Sequence, residues 1–395
     1  MKEGLKPFIK RVIADVGTRT AGSEGEASAA EIIAGEFRER GAEASIQRMP
    51  TYPEHLRALI RILTYSYLAA VVVYPLFPIA TVVITFSALA LLLLGRKVSP
   101  RFIDFFLKAG ETQNVVGIYG AKGEKKKTLI FSGHHDSPYM MPLLSPLYKR
   151  YVHWIENGVV LGLILTIPAG VARAIFAGPV ITLYDFSKSI GWWDILFPVI
   201  VLGLLLAIFF RAKMLTNEKN LGANDNLSAV AVLIGLGDYL KGNGLKNTEV
   251  WLVSFGSEEV FGYGSNGFAE AHRGMVKDAI NVNIETVGAG KLAVIEREKH
   301  NGMVYSPEVV EIIKSGGRRR GFDLEEVAIT FGGTDSYAII KGGGKSACLF
   351  GMDETRLFSL WHSPEDNPKN VSEERLADAL SVCLGVIEEV EGEIG

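Results

Sequence analysis

Two long apolar blocks interrupt the sequence and limit the folds open to the chain. In the first block, Arg61 is the single charged residue between Ala58 and Leu94. A membrane-spanning helix needs roughly 17–25 apolar residues, and Pro75 and Pro78 would break a helix near the middle of the block. We therefore predict a hairpin of two spans, about Leu56–Tyr74 and Ile79–Leu94, with one long kinked span as the alternative.

The second apolar block predicts another pair of spans, Val152–Phe176 and about Trp192–Phe210. The loop between them holds Asp185 and Lys188. Tryptophan residues lie near the ends of both spans, where interfacial aromatic side chains belong. We therefore expect an integral membrane protein that crosses a lipid bilayer about four times.

Lysine and arginine are distributed unevenly about these spans, which predicts their orientation. The flanks next to the soluble segments carry Arg57, Arg61, Arg96, Lys97, Arg101, Lys149, Arg150, Arg211 and Lys213. The opposite side carries Arg173 and Lys188. Because cytoplasmic flanks are enriched in Lys and Arg, we expect the soluble segments on the cytoplasmic side.

The soluble segments, residues 1–55, 96–148 and 214–395, alternate strand-like and helix-like runs. This alternation is typical of α/β folds. We predict one domain with a central mixed, mostly parallel sheet flanked by helices, interrupted by transmembrane hairpins at 56–95 and 149–213. Within it, Ser23 and Glu26 predict a capping box at the start of a helix, and another helix is predicted from Gly267.

Composition narrows the classes of partner. The net charge of −3 gives no reason to expect nucleic acid. Two cysteines, Cys348 and Cys383, lie in apolar surroundings and predict buried reduced thiols. The N-terminus has no apolar core of signal-peptide length, so we expect the mature chain to begin at or near Met1.

Residue types that bind metal ions follow two predicted strands. Glu258 and Glu259 come after a buried apolar run, where an open α/β sheet presents its chemistry. His134 follows another run, with Asp136 two residues later; an imidazole and a nearby acid are a common ligand and its orienting partner. Taken singly, these residues also fit a solvated acidic pair and surface loop histidines.

Three further residues occupy comparable places: Asp225 before a helix, Glu285 at a strand end and His362 in a loop. Alone, Asp225 fits a helix cap and His362 a solvated histidine. Imidazole and carboxylate groups suit zinc and similar divalent ions. Two histidines and three carboxylates exceed the usual three protein ligands of one catalytic zinc, and suit two ions about 3.5–4 Å apart that share a carboxylate.

The ordered motifs of the soluble segments resemble those of the co-catalytic di-zinc family that includes bacterial aminopeptidases and glutamate carboxypeptidase. These motifs are GSEGEASAAEIIAGEFRERG, NVVGIYG, LIFSGHHDS, GANDNLSAVAVL, FGSEEVFGYGS, NIET, GGTDS and WHSPEDNPKNV. Two departures stand out. Glu285 occupies a position that is often Asp in the family, and the apolar blocks replace short connections.

The resemblance implies a role for each candidate residue. His134 and Glu285 would bind one Zn²⁺, Glu259 and His362 the other, with Asp225 bridging the two. Asp136 would orient His134, and Glu258 would be the general base of metal-assisted hydrolysis. Co²⁺ or Mn²⁺ are the expected substitutes for zinc. Asp335 and Tyr337, in a glycine-rich loop, are expected to line the substrate pocket. The expected function is that of a membrane-anchored aminopeptidase acting on peptides.

Several alternatives stay open. Gly262–Gly267 matches the G-x-G-x-x-G pattern of a dinucleotide-binding oxidoreductase, although Glu258 and Glu259 would place negative charge where a pyrophosphate binds. A non-catalytic membrane receptor or chaperone on the same fold is a second alternative, against which every ligand position holds a competent residue. Carboxypeptidase and glutaminyl-cyclase-like activities are further alternatives.

Overall fold

The computed structural model describes residues 4–97, 101–182, 185 and 189–392, and Lys188 of the predicted loop lies outside them. The chain divides into two compact units. The first consists of Met1–Pro53, Lys108–Met140 and Asn217–Gly395, and the second of Glu54–Leu107 and Met141–Thr216.

Within the described residues, nine strands of the first unit form one sheet. They are β1 (Glu43–Thr51), β2 (Gly110–Tyr119), β3 (Lys127–His134), β4 (Thr248–Phe255), β5 (Ile280–Glu285), β6 (Lys291–Glu298), β7 (Met303–Val304), β8 (Glu325–Ile329) and β9 (Lys345–Met352). Their order is β1-β2-β4-β3-β5-β9-β6-β7, with β8 paired to β6. The centre, β4-β3-β5-β9, is parallel, whereas β1, β2, β6 and β7 make antiparallel pairs.

Twelve α-helices complete the described part of the chain. They are α1 (Leu5–Val16), α2 (Glu24–Glu39), α3 (His55–Val73), α4 (Pro78–Lys97), α5 (Val152–Phe176), α6 (Phe197–Met214), α7 (Leu227–Gly242), α8 (Tyr263–Ala271), α9 (Arg273–Val276), α10 (Pro307–Arg319), α11 (Ser336–Lys341) and α12 (Glu373–Gly392). The predicted mixed sheet flanked by helices is confirmed.

Helices cover both faces of the sheet. On one face, Ile130 and Phe255 pack with Phe268 of α8 and Ile339 of α11. On the other, α7 approaches β3 so closely that a Cβ on Gly133 would lie 2.6 Å from the Ala229 Cβ. The parallel centre is therefore covered by apolar side chains on both faces, and its four strands end at one edge, where side chains from different strands meet.

Two local predictions need correction. Helix α8 begins at Tyr263 instead of Gly267, because Gly262 takes a left-handed φ of 61° and forms its N-cap. The predicted capping box is only half formed. Ser23 accepts the Glu26 N–H at 3.2 Å, but the Glu26 carboxylate accepts Gly22 N–H at 2.7 Å and does not return to Ser23.

The second unit is a bundle of α3, α4, α5 and α6, with Tyr67, Leu163 and Ile200 in its core. Among the residues that the structure describes, three helical segments could cross a membrane by length and composition: His55–Val73, Lys149–Phe176 and Trp192–Met214. Pro78–Leu93 is a shorter apolar helix. The first apolar block therefore forms two helices, and membrane crossing by either block stays a prediction.

An ion pair between a buried arginine and a partly exposed aspartate lies at one end of this bundle. Arg173, which is 2% exposed, donates to both oxygens of Asp194 at 2.6 and 2.7 Å. It also donates to the Pro75 carbonyl at 3.0 Å and the Ser189 hydroxyl at 2.9 Å. One guanidinium thus links the α3–α4 loop, the end of α5 and the segment before α6.

Candidate metal centre

The five predicted ligands converge at the edge where the parallel strands end. His134 Nε2 lies 3.1 Å from Glu285 Oε1 and 3.3 Å from Asp225 Oδ1. His362 Nε2 lies 3.0 Å from Glu259 Oε2 and 3.2 Å from Asp225 Oδ2. In each of these two groups the potential ligand atoms lie within 4.8 Å of one another. The two groups share Asp225.

The strand register explains how His134 and Glu285 meet. His134 is the last residue of β3 and Glu285 the last of β5, and these strands are parallel neighbours. Asn226, next to Asp225, bonds to β5 on both sides of Glu285. Its amide donates to the Ile284 carbonyl at 2.9 Å and accepts the Thr286 N–H at 3.1 Å. Asp225 is therefore held in register with Glu285.

Adjacent histidines at the end of β3 differ in environment. Both His134 and His135 are buried, at 1% and 0% exposure, so the surface-loop alternative is wrong. His135 turns away from the carboxylates to the Ser254 hydroxyl, with Nδ1 and Oγ 2.9 Å apart. Burial lowers the pKa of His135 to about 3, so it is neutral. His134 is the histidine that faces the acids.

Glu258 and Glu259 lie in the turn after β4, where Asp136 fixes the backbone. Asp136 accepts the N–H of Glu258 at 3.0 Å and that of Glu259 at 3.2 Å. Its Oδ1 also lies 3.3 Å from His134 Nδ1. The Glu258 carboxylate is 3.8 Å from His134 Nε2, and its side chain is 19% exposed. Glu258 thus combines closeness to the cluster with access to solvent.

Electrostatics favour a cation at this site. Burial raises the pKa of Glu259 and of Glu285 to about 7, against the opposing effect of the histidines. Burial lowers the pKa of His362, but the Glu259 and Asp225 carboxylates outweigh it and raise that pKa to about 10. Buried carboxylates at this density require compensating positive charge.

The residues present fit divalent metal ions. Asp225 Oδ2 and Glu259 Oε1 are buried oxygens that accept no hydrogen bond from any residue that the structure describes. Buried acceptors normally have a partner, and an ion would provide one. The donor set, imidazole nitrogen and carboxylate oxygen, is the one that zinc prefers. The geometry therefore supports metal binding by the two groups that share Asp225.

The sequence did not predict two residues that fix the backbone next to the proposed ligands. Asp366 accepts the N–H groups of Asn224 and Asp225 at 2.5 and 3.2 Å. Arg19, fully buried, donates to the carbonyls of His135 at 2.7 Å and Gly222 at 3.0 Å. Both residues lie in or next to the motifs quoted above, but no local pattern indicates a partner so distant in the chain.

Asp335 and Tyr337 differ in their surroundings. Asp335 is 1% exposed, and neither carboxylate oxygen has a hydrogen-bond partner among the described residues. It is the N-cap of α11 but makes no capping hydrogen bond. Its charge contributes to the raised pKa of Glu258, after burial. Tyr337 is half-buried, with Lys341 Nζ 4.9 Å from its ring centroid, and its place in a substrate pocket stays a prediction.

Solved structures with this fold include zinc enzymes. A Zn-dependent exopeptidase from Parabacteroides distasonis has a TM-score of 0.57 at 14% identity, covering 97% of this chain and 96% of that one. BSAP, a zinc aminopeptidase from Bacillus subtilis, has a TM-score of 0.57 at 16% identity, covering 98% and 94%. A Bacteroides thetaiotaomicron glutaminyl cyclase bound to N-acetylhistamine has a TM-score of 0.57 at 13% identity, covering 97% and 96%. These likenesses show the fold.

Comparison of the sequence with known proteins finds a similar curated protein and a matching family profile. Among curated proteins, the chain is similar to Aminopeptidase YwaD of Bacillus subtilis (strain 168), with 27% identity over 173 residues. That stretch covers 42% of this chain and 37% of the relative's length. A family profile described as Peptidase family M28 matches residues 209–387, which hold seven of the candidate site residues, all except His134 and Asp136. The family resemblance drawn from the ordered motifs is thus confirmed, and residues 209–387 of this chain are similar to the M28 peptidases.

Proposed function

We propose that the protein is a membrane-anchored zinc aminopeptidase. The observation that carries the proposal is the position of Asp225, whose two oxygens face two different imidazoles, His134 at 3.3 Å and His362 at 3.2 Å. A carboxylate between two sets of ligands is the arrangement expected for a bridged pair of metal ions.

Each ligand set would hold one Zn²⁺. His134 and Glu285 would complete one site and Glu259 and His362 the other, with Asp225 common to both. Glu285 Oε1 is 3.1 Å from His134 Nε2, so the longer side chain at this position still reaches the cluster. Co²⁺ or Mn²⁺, which accept the same donors, are the expected substitutes.

Glu258 is the proposed general base. Zinc held by these ligands would lower the pKa of a water molecule and polarise the scissile carbonyl. The Glu258 carboxylate takes the proton of the attacking water and later gives it to the leaving amine. Its partly exposed side chain and its backbone N–H bond to Asp136 keep it at the edge of the cluster, open to substrate.

Asp335 is the group that favours an aminopeptidase over a carboxypeptidase. A buried carboxylate without a partner is destabilising, and a substrate's N-terminal ammonium group would satisfy it. A carboxypeptidase would instead need a cationic group for the substrate's C-terminal carboxylate. Burial raises the pKa of Asp335 to about 7, and a substrate ammonium beside it would stabilise the ionised carboxylate, so the residue favours the N-terminal end of a peptide.

The second unit is the proposed membrane anchor. Its helices leave large apolar side chains exposed, among them Val72 at 66%, Phe86 at 67% and Leu202 at 57%. Exposed apolar surface of this extent is typical of lipid contact. We retain four spans and the cytoplasmic side for the soluble segments as the proposal, on the basis of the Lys and Arg distribution.

Glutaminyl-cyclase-like activity is the second candidate, since several structures with this fold are glutaminyl cyclases. Cyclisation of an N-terminal glutamine would need only a single metal ion. The second ligand set, Asp225, Glu259 and His362, favours hydrolysis over cyclisation.

The test is hydrolysis by the full chain purified in detergent. Peptides with free and N-acetylated N-termini, and one that begins with glutamine, are incubated with and without chelator, and mass spectrometry separates added water from lost ammonia. We expect chelator-sensitive release of N-terminal residues, restored by Zn²⁺ and abolished by Glu258→Gln. Hydrolysis that survives both chelation and Glu258→Gln would overturn the proposal.

A further inference from the structure

A second buried carboxylate, Glu26, contacts the turn that carries Glu258. Glu26 is 0% exposed. Its Oε1 accepts the Ser257 N–H at 2.7 Å and the hydroxyls of Thr112 at 2.8 Å and Ser257 at 3.2 Å. Its Oε2 accepts the Gly22 N–H at 2.7 Å. All four groups can donate a hydrogen bond, so both oxygens of the Glu26 carboxyl serve as acceptors.

Together Glu26 and Asp136 bind three consecutive backbone N–H groups. Glu26 binds that of Ser257, and Asp136 binds those of Glu258 and Glu259. Ser257 has a φ of 51°, a left-handed conformation uncommon for a residue with a side chain. Such a conformation persists when its surroundings fix it.

The turn is also packed against Glu26 by its preceding residue. A Cβ on Gly256 would lie 2.8 Å from Glu26 Oε1 and 2.3 Å from Thr112 Oγ1. The backbone therefore approaches the carboxylate more closely than any other residue type would permit at position 256. The absence of a side chain at Gly256 is therefore what allows the backbone to lie against the Glu26 carboxyl.

Helix capping does not account for Glu26. Ser23 caps α2 with its own hydroxyl, whereas the Glu26 carboxylate reaches Ser257, 231 positions further along the chain. We propose that Glu26 is a positioning residue that sets the direction of the Glu258 side chain by fixing the backbone of the residue before it. The catalytic meaning of this inference rests on the proposed function; its structural part does not.

The test compares Glu26→Gln with Ser23→Ala in the full chain. An amide side chain keeps one acceptor oxygen and adds a donor, so the N–H of Gly22 or the buried N–H of Ser257 loses its acceptor. Ser23→Ala removes the cap of the same helix without touching the turn, and it is the matched control. The readouts are hydrogen exchange of the amides at 256–262, and kcat and KM for an N-terminally free peptide.

We expect Glu26→Gln to raise exchange at 256–259 by about tenfold or more. We also expect kcat to fall by roughly 10–100-fold with KM changed less than about twofold, as for other residues that orient a metal-site group. Ser23→Ala should raise exchange only near the start of α2 and leave kcat unchanged. Equal exchange at 256–259 and equal kcat in the two variants would overturn the inference.

Two provisions separate the outcomes. If Glu26→Gln does not fold, Thr112→Val, which removes one donor to Glu26 and keeps the shape, should give smaller changes in the same direction; no change would overturn the inference. If the wild-type protein hydrolyses no peptide, the proposed function fails, and the exchange data alone decide whether Glu26 fixes the turn.

Discussion

Oδ1 of Asp136 accepts the backbone N–H of Glu258 at 3.0 Å. The same carboxylate accepts the N–H of Glu259 at 3.2 Å and lies 3.3 Å from the ring of His134. One side chain therefore fixes a proposed ligand on β3, and the proposed base and a second ligand after β4. A change at Asp136 must displace groups on two strands together.

Asp136→Asn is expected to reduce both metal affinity and kcat by roughly 10–100-fold. Asparagine offers a single acceptor oxygen, so one of the two N–H groups faces an NH₂ group instead. Zinc titration by calorimetry and steady-state kinetics measure the two effects. Asp323→Asn, at an exposed position, serves as the control. An Asp136→Asn protein with wild-type zinc affinity and kcat would contradict the proposal that Asp136 positions both His134 and the turn after β4.

Metal content should report the shared role of Asp225. We expect about two zinc ions per wild-type chain, because two ligand sets are present. His362→Ala should retain about one, since the set with His134 and Glu285 stays intact, whereas Asp225→Ala should weaken both sets. Elemental analysis after dialysis provides the count. One ion per wild-type chain, or an equal count in the two variants, would contradict a bridged pair.

Asp335→Asn should impair recognition of a free N-terminus. Loss of the negative charge removes the proposed partner of the substrate ammonium, so KM for peptides with a free α-amino group should rise by roughly 10-fold or more. For N-acetylated peptides, which lack the ammonium, the variant should match the wild type. An equal rise in KM for both substrate types would assign Asp335 to structure instead of recognition.

Glu298 predicts a measurable dependence of stability on pH. Burial raises its pKa to about 7, although Tyr305, Asn301 and Thr334 donate hydrogen bonds to it. Between an unfolded pKa of 4.5 and about 7, the native state binds more protons, so stability falls as pH rises across that window and is constant above it. The shift corresponds to about 3 kcal/mol.

Glu298→Gln should flatten that part of the curve. The measurement is the melting temperature of the detergent-purified protein at intervals from pH 4.5 to 8. The wild type should lose more stability than Glu298→Gln between pH 4.5 and 7. The control Glu308→Gln, at an exposed position, should give the wild-type curve. Parallel curves for the wild type and Glu298→Gln would show that the native carboxyl titrates as it does in the unfolded chain.

The Arg173–Asp194 pair predicts a strong coupling in the second unit. Removing Asp194 leaves the buried charge of Arg173 unpaired, so Asp194→Leu should destabilise the bundle by about 3–5 kcal/mol. Arg173→Met should cost less, because the Asp194 side chain is 18% exposed, and the double variant should cost less than the sum of the two. Thermal melts of the wild type, the two single variants and the double variant form a double-mutant cycle. If the losses of stability in the single variants add up to the loss in the double variant, the two residues are not coupled.

Part of the site was predictable because chemistry at a strand end follows a simple rule. His134 and Glu285 each come at the end of an apolar run. Parallel strands that alternate with helices have their carboxyl ends at the same edge of the sheet. The imidazole and carboxylate groups at these positions are themselves enough to indicate zinc. Local pattern and global topology agree at these positions.

The supporting residues follow no such rule. Glu26 fits a capping box by spacing, yet its carboxylate bonds to Ser257, and nothing in the local sequence distinguishes the two partners. Strands β6 and β8 also escaped prediction, since charged residues at their ends hide the short apolar centres. Partners distant in the chain are chosen by packing, which sequence periodicity does not encode.

The placement of β3 has a consequence for biosynthesis. Its two neighbours in the sheet, β4 and β5, both follow α5 and α6 in the chain. A nascent polypeptide therefore exposes His134 and its strand for as long as both apolar helices are being translated, without the neighbours that will enclose it. Neither ligand set can form until the ribosome has passed Asp225. Under the proposed function, zinc can therefore bind both ligand sets only after α5 and α6 have been synthesised.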